Sequence, residues 1–498
     1  MPETTNRGEI EWPPKWVWWT LAGLSLPTFL LGLSVPFLGP DEPRYAQVAR
    51  EMMDRRDWIT PTLAGRHWFE KPPLLYWVEI ACFRIFGVNE FAAHFGPALM
   101  GLATVVCLWL LGRSLNIDYG KWLALVATST LGLIVFAHGA TTDIAVTFPM
   151  TAALVSFFVF DRRAVDGESV SRLFAPLAAL YMFVGLSLLG KGLIGIIFPV
   201  AIISLYYLFS RRWPSKTLFV SLIWGLAIST AVAATWYLPM YLRHGWEFID
   251  EFIIKQHFQR FTTNEYQHPQ PFYFYLYILP LMVLPWLPLC VAAIVRAIKT
   301  VLRQDENSSP ASSLTILAIC WLAVPLVFFS FSGSKLPGYV LPALPGAVIL
   351  CGIAVRELAS KSKGWAYAGA ALAGITMLTI SVLLVTIVPN YASCESGRQL
   401  IVAADQKGYS SEPVLVMHSY FYNAEFYATT RLDHDARGKQ VRLFGTAEVK
   451  DEIRRRGGGV VLVLVPNEYL SQLTEDPHLN AESIGSNEDG AIVAVGFR

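Results

Sequence analysis

Residues 39–77 read GPDEPRYAQVAREMMDRRDWITPTLAGRHWFEKPPLLYW and form the only long polar stretch in the first half of a very apolar chain. An acidic pair, Asp41 and Glu42, is followed at once by Arg44 and Tyr45. About thirty residues on come Glu70-Lys71-Pro72-Pro73, Tyr76 and Trp77. Tyr45, Val48, Ala49, Met52 and Met53 recur at helical spacing, so an amphipathic helix is expected after the acidic pair. Leu74, Leu75, Val78, Ala81, Cys82, Ile85 and Phe86 repeat the pattern after the prolines. Two such helices, charged at their starts and set between apolar runs, would lie flat on a membrane surface. A plain connection between spans does not need so many aromatic, apolar and ionisable side chains together. The stretch reads as a site.

Composition sets the class. Of 498 residues, 54% are hydrophobic and only 15% charged, whereas a soluble protein of this size would expose far more charge. The formal net charge is +1, and no long basic run points to nucleic acid. Cys107, Cys290, Cys320 and Cys351 fall inside apolar runs, Cys82 in an amphipathic stretch, and Cys394 alone outside. They spell neither a disulfide framework nor metal-ligand spacing. The first apolar run, Trp16–Leu38, is too long for a signal-peptide core and lacks a small-residue cleavage site, so it is expected as a retained span.

Runs of roughly twenty apolar residues give about eleven spans. They include Trp16–Leu38, Trp122–Ala140, Leu193–Phe209, Phe272–Val295 and, last, Trp365–Val388. Alternate short loops carry most of the cations, among them Arg162, Arg163 and Arg172, then Arg211, Arg212 and Lys216, then Arg296, Lys299 and Arg303. The positive-inside rule puts those loops in the cytoplasm. The opening loop, the Asp143, Lys191 and Lys335 turns, and the loop 246–271 then share the opposite face. From about Asn390 the composition becomes that of a soluble domain. Val414–Met417, Val441–Phe444, Val460–Val465 and Ile492–Val495 read as strands, with helices near Tyr422–Tyr427 and Ala447–Arg456. Two domains are therefore expected. Residues 1–389 form a membrane domain whose amphipathic outer loop spans 39–90, and residues 390–498 form a small α/β domain.

The outer face collects Asp41, Glu42, Arg44, Tyr45, Glu70, Lys71, Tyr76, Asp143, Lys191, His257, Arg260, Lys335 and Tyr339. Several cations beside a few carboxylates suit a substrate bearing phosphate. Lys and Arg make charge-assisted bonds to phosphate oxygens and stabilise a departing phosphate. A carboxylate can take a proton from an attacking hydroxyl or stabilise positive charge on a sugar ring. Each residue also has a plainer reading. Asp41 and Asp143 could cap helices, Lys191 in Gly190-Lys191-Gly192 could be a snorkelling turn residue, Arg260 could bind lipid phosphates, and His257 could be an ordinary interfacial histidine. Their collection on one face favours the site.

Specific motifs carry a resemblance. Asp41-Glu42-Pro43-Arg44-Tyr45-Ala46, Asp57-Trp58-Ile59-Thr60-Pro61, Phe69-Glu70-Lys71-Pro72-Pro73-Leu74 and Tyr76-Trp77 resemble the opening loop of the aminoarabinose transferases that modify lipid A. Those enzymes group with protein O-mannosyltransferases among polytopic, lipid-linked-sugar glycosyltransferases. Thr142-Asp143, Leu189-Gly190-Lys191-Gly192, His257-Phe258-Gln259-Arg260-Phe261 and Ser334-Lys335-Leu336-Pro337-Gly338-Tyr339 follow in order, so the likeness spans about residues 15 to 345. It implies an all-α polytopic membrane protein of the GT-C glycosyltransferase type. Such a protein has eleven to thirteen transmembrane helices, a cavity open to the periplasm of a bacterial inner membrane, and here a small C-terminal α/β periplasmic domain.

The donor implied is a sugar, aminoarabinose or a relative, on a polyprenyl phosphate; the acceptor is lipid A or another periplasmic glycolipid or glycan. Asp41 and Asp143 take the catalytic places. Arg44, Tyr45, Lys71, Tyr76, Lys191, Arg260, Lys335 and Tyr339 bind donor phosphate or substrate. No cofactor is required, although relatives with a metal imply that a divalent ion such as zinc could sit near Glu70 and His257. Two rivals differ in kind. A protein O-mannosyltransferase-like enzyme would change the acceptor. A lipid-linked-sugar flippase would carry internal repeats and mid-membrane charges, and neither is visible in the chain.

Overall fold

The computed structural model describes residues 13–260, 269–302, 309–435, 438–488 and 490–498. Phe261 of the His257–Arg260 motif and Arg303 lie outside them. The chain divides into two compact units. The first takes residues up to Leu31, Glu70–Leu74 and Pro97–Val382; the second takes Gly32–Phe69, Leu75–Gly96 and Leu383–Arg498. The expected boundary at residue 389 thus falls inside one helix, Lys363–Glu395, and most of the outer loop groups with the C-terminal sheet.

The apolar runs named above are largely helical. Among the described residues, seven helices are long and apolar enough to cross a membrane, and nine if two bent pairs each count as one span. Lys15–Leu30 and Ile194–Phe209 have 16 residues each. At 1.5 Å per residue they reach roughly 24 Å, short of a hydrocarbon core of about 30 Å. The expected Trp122–Ala140 span is broken into Ile117–Thr128 and Leu131–His138, bent by 60°. The Phe272–Val295 span becomes Tyr275–Met282 and Leu287–Leu302, bent by 116°. Apolar periodicity could not reveal these breaks, because the two corners complete each other in space. Trp286 Nε1 donates to Ser129 Oγ at 3.0 Å, and the Leu131 N–H donates to the Leu284 carbonyl at 2.9 Å. Ser129 and Thr130 hydroxyls bond back to the Leu125 and Val126 carbonyls, satisfying groups that an unbroken helix would have paired. At the cation-rich end of the same unit the buried Asp161 carboxylate accepts from Tyr206, Tyr207 and Arg212 at 2.6–2.8 Å.

In the second unit the helix Asp41–Asp54 buries Tyr45, Val48, Ala49 and Met52, as its periodicity predicts, and Ala46 besides, while Met53 is only half-buried. A short hairpin follows, Thr62–Leu63 (β1) on Arg66–His67 (β2). Glu51 pins this turn, accepting from the Thr62 hydroxyl and the Ala64 and Gly65 amides. The helix Leu74–Phe86 departs from expectation. Its buried face is Leu75, Tyr76, Glu79, Ile80, Cys82 and Phe83, while Ile85 and Phe86 point out. Both of its faces are apolar, so a single stripe could not be read. An apolar outer face on a short loop helix is the arrangement suited to lying in a lipid interface.

Glu79 is the cost of that packing. It is fully buried, neither carboxyl oxygen has a hydrogen-bond partner among the described residues, and burial beside Glu42 pushes its carboxyl well above its ordinary range. The folded protein therefore holds a proton there that the unfolded chain releases above about pH 4.5. Stability falls as pH rises from that value towards the folded-state pKa. Glu79→Gln should remove this slope and raise the melting temperature at pH 7–8 more than at pH 4.5. Equal shifts at both pH values in a thermal-melt series would contradict it.

The C-terminal domain is a five-stranded mixed sheet in the order β4-β3-β5-β7-β6. Its strands are Val414–Met417 (β3), Arg442–Leu443 (β4), Val461–Val465 (β5), Leu479–Ser486 (β6) and Ala491–Phe497 (β7). β4, β3 and β5 run parallel; β7 and β6 add antiparallel. The edge strand β6 was not expected from its largely polar sequence LNAESIGS; it pairs with β7 on one side and sets Leu479 into the core. One sheet face packs on the helix Arg398–Gln406 and on Ala424, Ala428 and Leu432. The other packs on Val449 and Ile453 of the helix Thr446–Arg455. The domain grips the opening loop through Phe426 and Tyr427. Tyr427 donates to Glu90 at 3.0 Å and accepts the Phe37 N–H at 3.2 Å, while the Arg50 guanidinium lies 3.8 Å from the Phe426 ring centre.

Candidate functional site

In the first unit, helix ends bring cations and one carboxylate to a single cavity. Glu70, Lys71, Lys191, His257, Arg260 and Tyr339 line a space of about 280 Å³ whose other walls are apolar, among them Ile194, Ile197, Phe252, Phe258 and Phe328. Asp143 lies in the first turn of Thr142–Val165 and Lys191 in the last turn of Val170–Lys191. Their side chains form an ion pair, with the Lys191 ammonium 4.5 Å from the Tyr339 ring centre. Asp143 therefore holds a cation rather than capping its helix. Arg260 follows a π-helical stretch, Ile249–Gln259, and bonds Glu70 at 3.1 Å and Gln256 at 2.8 Å. The Lys71 ammonium is 3.9 Å from the same Glu70 carboxylate. Gln256 was not among the expected residues. The only signal for it was its place four residues before Arg260, one helical turn away.

Two glycines in the quoted motifs make this closeness possible. A Cβ at Gly192, whose φ is +75°, would lie 2.0 Å from His257 Nε2; one at Gly338 would lie 2.0 Å from Asp143 Oδ2 and 2.8 Å from Phe136 Cε1. Gly338→Ala should thus push Asp143 aside, unseat Lys191, and cost about 1–3 kcal/mol of stability as overpacking does. Turnover should drop about tenfold or more; unchanged turnover together with an unchanged melt would refute the close-approach argument.

Other expected residues do not line this cavity. Lys335 is buried, and its ammonium donates to the Gln270 and Ser332 carbonyls at 3.0 and 2.6 Å, so it ties a turn together instead of facing the cavity. Tyr45 and Tyr76 are buried in the second unit with rings 6.2 Å apart, as core partners of the loop helices. Periodicity and chemistry overlap in such tyrosines, and only packing separates the two.

Glu70 and His257 do not fit a divalent ion in this arrangement. His257 Nδ1 donates to the Phe252 carbonyl at 2.7 Å and Nε2 accepts the Leu193 N–H at 3.2 Å, so both ring nitrogens are engaged. The Glu70 carboxylate is turned to Arg260 and Lys71.

In the second unit, Asp41 opens the helix Asp41–Asp54. Its side chain makes no capping bond; it accepts from Arg44 Nη2 at 2.6 Å and remains about one-third exposed. Arg44 also donates through Nε to the Pro40 carbonyl at 2.7 Å. Glu42 faces inward, accepting the Leu38 N–H at 2.9 Å, 3.5 Å from His94 Nε2. The acidic pair is thus divided between one carboxylate held at the surface and one that braces the loop.

The chain is similar to several known proteins. The family model described as dolichyl-phosphate-mannose-protein mannosyltransferase matches residues 36–249. The undecaprenyl phosphate-alpha-4-amino-4-deoxy-L-arabinose arabinosyl transferase of Aeromonas salmonicida is 31% identical over 353 residues, covering 70% of this chain and 62% of its own length. The protein of that name from Erwinia tasmaniensis is 31% identical over 378 residues, covering 73% and 65%. The match thus covers less than two thirds of either relative. ArnT from Cupriavidus metallidurans bound to undecaprenyl phosphate shares the fold, with a TM-score of 0.80 at 21% identity over 96% of this chain and 98% of that one. The archaeal oligosaccharyltransferase AglB from Archaeoglobus fulgidus follows at 0.59 and 13%, over 90% of this chain and 69% of that one.

Proposed function

We propose that this chain, which is similar to the aminoarabinose transferases and in part to the protein O-mannosyltransferase family model, is a lipid-linked-sugar glycosyltransferase that transfers a sugar from a polyprenyl-phosphate carrier to lipid A or a related glycolipid outside the cytoplasm. The observation that carries this reading is the cavity of the first unit, where Lys71, Lys191 and Arg260 meet walls of Ile and Phe. A cationic end on an apolar channel complements a phosphate on a polyprenyl tail. Transfer would break the bond from the anomeric carbon to the phosphate oxygen as an acceptor oxygen attacks that carbon. The departing phosphate keeps the electron pair, and Lys71 and Arg260 stabilise its charge. Asp143 positions Lys191. Asp41, held by Arg44, serves the attacking or ring side of the reaction. Aminoarabinose is the sugar that the named relatives favour.

Purified protein should convert a radiolabelled polyprenyl-phosphate aminoarabinose in the presence of lipid A; no label transfer with any lipid A preparation would reject the acceptor. The face assignment follows from the cation asymmetry of the loops. A periplasmic reporter fused after Pro389 should be active and one in the Arg211–Lys216 loop inactive. The reverse pattern would overturn it.

A further inference from the structure

The topology of the C-terminal domain and its side chains point to one place. The chain leaving β3 packs on one sheet face through Ala424, Ala428 and Leu432. The chain leaving β4 packs on the other through Val449 and Ile453. β3 and β4 are parallel neighbours, so the loops leaving their carboxyl ends lie side by side, at the end of the sheet where open α/β folds bind ligands. The side chains gathered there are unusual for a solvated surface. Arg442 lies between two rings, 4.9 Å from the centre of Tyr420 and 4.7 Å from that of Phe444. Phe444 is 59% exposed and Tyr422 44% exposed, with the Tyr420 and Tyr422 rings 5.8 Å apart. The Arg442 Nε is buried without a hydrogen-bond partner among the described residues, and no carboxylate pairs with this guanidinium there. His418, at φ +64°, follows β3 and seats its ring 4.0 Å from Tyr469 in the loop after β5.

The cluster does not end at the domain. Tyr422 is also the ring beneath Arg44, 5.8 Å away, and Arg44 is the residue that holds Asp41. A continuous line runs from the strand ends to the surface carboxylate of the opening loop, all within the second unit.

Resting on the transferase reading above, we propose that this strand-end cluster is the platform that seats the acceptor, a phosphorylated saccharide headgroup. Tyr420, Tyr422 and Phe444 offer faces to sugar rings. Arg442, preset between two rings, offers planar donors to a phosphate, which Lys would do less well. The polyprenyl end of the donor finds no counterpart here, so the cluster distinguishes acceptor from donor.

The test uses the full-length protein in lipid nanodiscs and two probes, a glucosamine disaccharide bisphosphate and the same disaccharide without phosphate. Wild type should bind the bisphosphate more tightly. Arg442→Ala should weaken that binding about tenfold and erase the preference, and Tyr422→Ala should weaken both probes. Polyprenyl-phosphate affinity should stay unchanged in each variant. Arg442→Lys, which keeps charge and fold, should restore only part. In the transfer assay the same variants should raise the acceptor KM with little change in kcat. Equal probe binding by wild type and variants overturns the platform, and so does an unchanged acceptor KM in an active enzyme. Probe binding that depends on Arg442 in a protein that transfers no sugar upholds the platform and sinks the transferase reading. Loss of phosphatidylglycerol-vesicle binding without loss of probe binding makes the patch a membrane contact and overturns the proposal.

Discussion

Asp41→Asn should leave the protein folded and inserted while lowering sugar transfer by about 10²-fold or more, the range over which a general base contributes. The structure sharpens this expectation. Asp41 makes no capping bond to the backbone, so the helix Asp41–Asp54 does not depend on its charge. Asn keeps the shape and can still accept from Arg44. The pH profile then separates two roles. A hydroxyl acceptor needs a base, which imposes an acid limb on the rate that disappears in Asp41→Asn. A phosphate acceptor, with a second pKa of about 6, is already mostly ionised at pH 7 and needs none. Loss of activity without such a limb would place Asp41 on the sugar ring or on acceptor orientation. Near-normal transfer by Asp41→Asn would remove it from the reaction altogether.

The second large effect is expected at the phosphate end. Arg260→Ala and Lys71→Ala should each weaken donor binding by roughly 10- to 150-fold, the equivalent of about 1.5–3 kcal/mol for a hydrogen bond to a charged group. Arg260 carries the sharper risk to folding, since its removal takes from the Glu70 carboxylate a bond of 3.1 Å, against 3.9 Å to Lys71. Arg260→Lys controls for that. It should melt like wild type while recovering only part of the affinity, because a point charge cannot replace a planar fork. Titration with polyprenyl phosphate alone reads the effect without requiring turnover. Normal donor affinity in both alanine variants would make these residues structural.

The two halves of the candidate chemistry were legible to different degrees. Apolar runs, loop cations and the opening polar stretch needed no tertiary information. Hydrophobic length and charge placement act locally and are constrained by the bilayer. The helix Asp41–Asp54 and its buried face follow from a period of 3.6, and four strands of the C-terminal domain follow from short β-branched runs. The sequence by itself therefore determined the class, the apolar segments and the list of ionisable residues worth attention.

What only the tertiary structure decided is how those residues are divided among roles. Lys335 and Lys191 look alike in sequence, each in a short turn with a glycine or proline within two residues. One is tied to two backbone carbonyls, and the other is lodged between Asp143 and Tyr339. Glu42 and Asp41 are adjacent, yet one braces the loop and the other stays at the surface. Gly338 marks a site only once Asp143, nearly two hundred residues away, is seen against it. The corners at Ser129 and Trp286, the polar edge strand β6 and the outward-facing Ile85 belong to the same class. Each depends on a partner distant in the chain, and local propensity carries no information about which distant group will satisfy a buried donor, pair a charge or cover an apolar face.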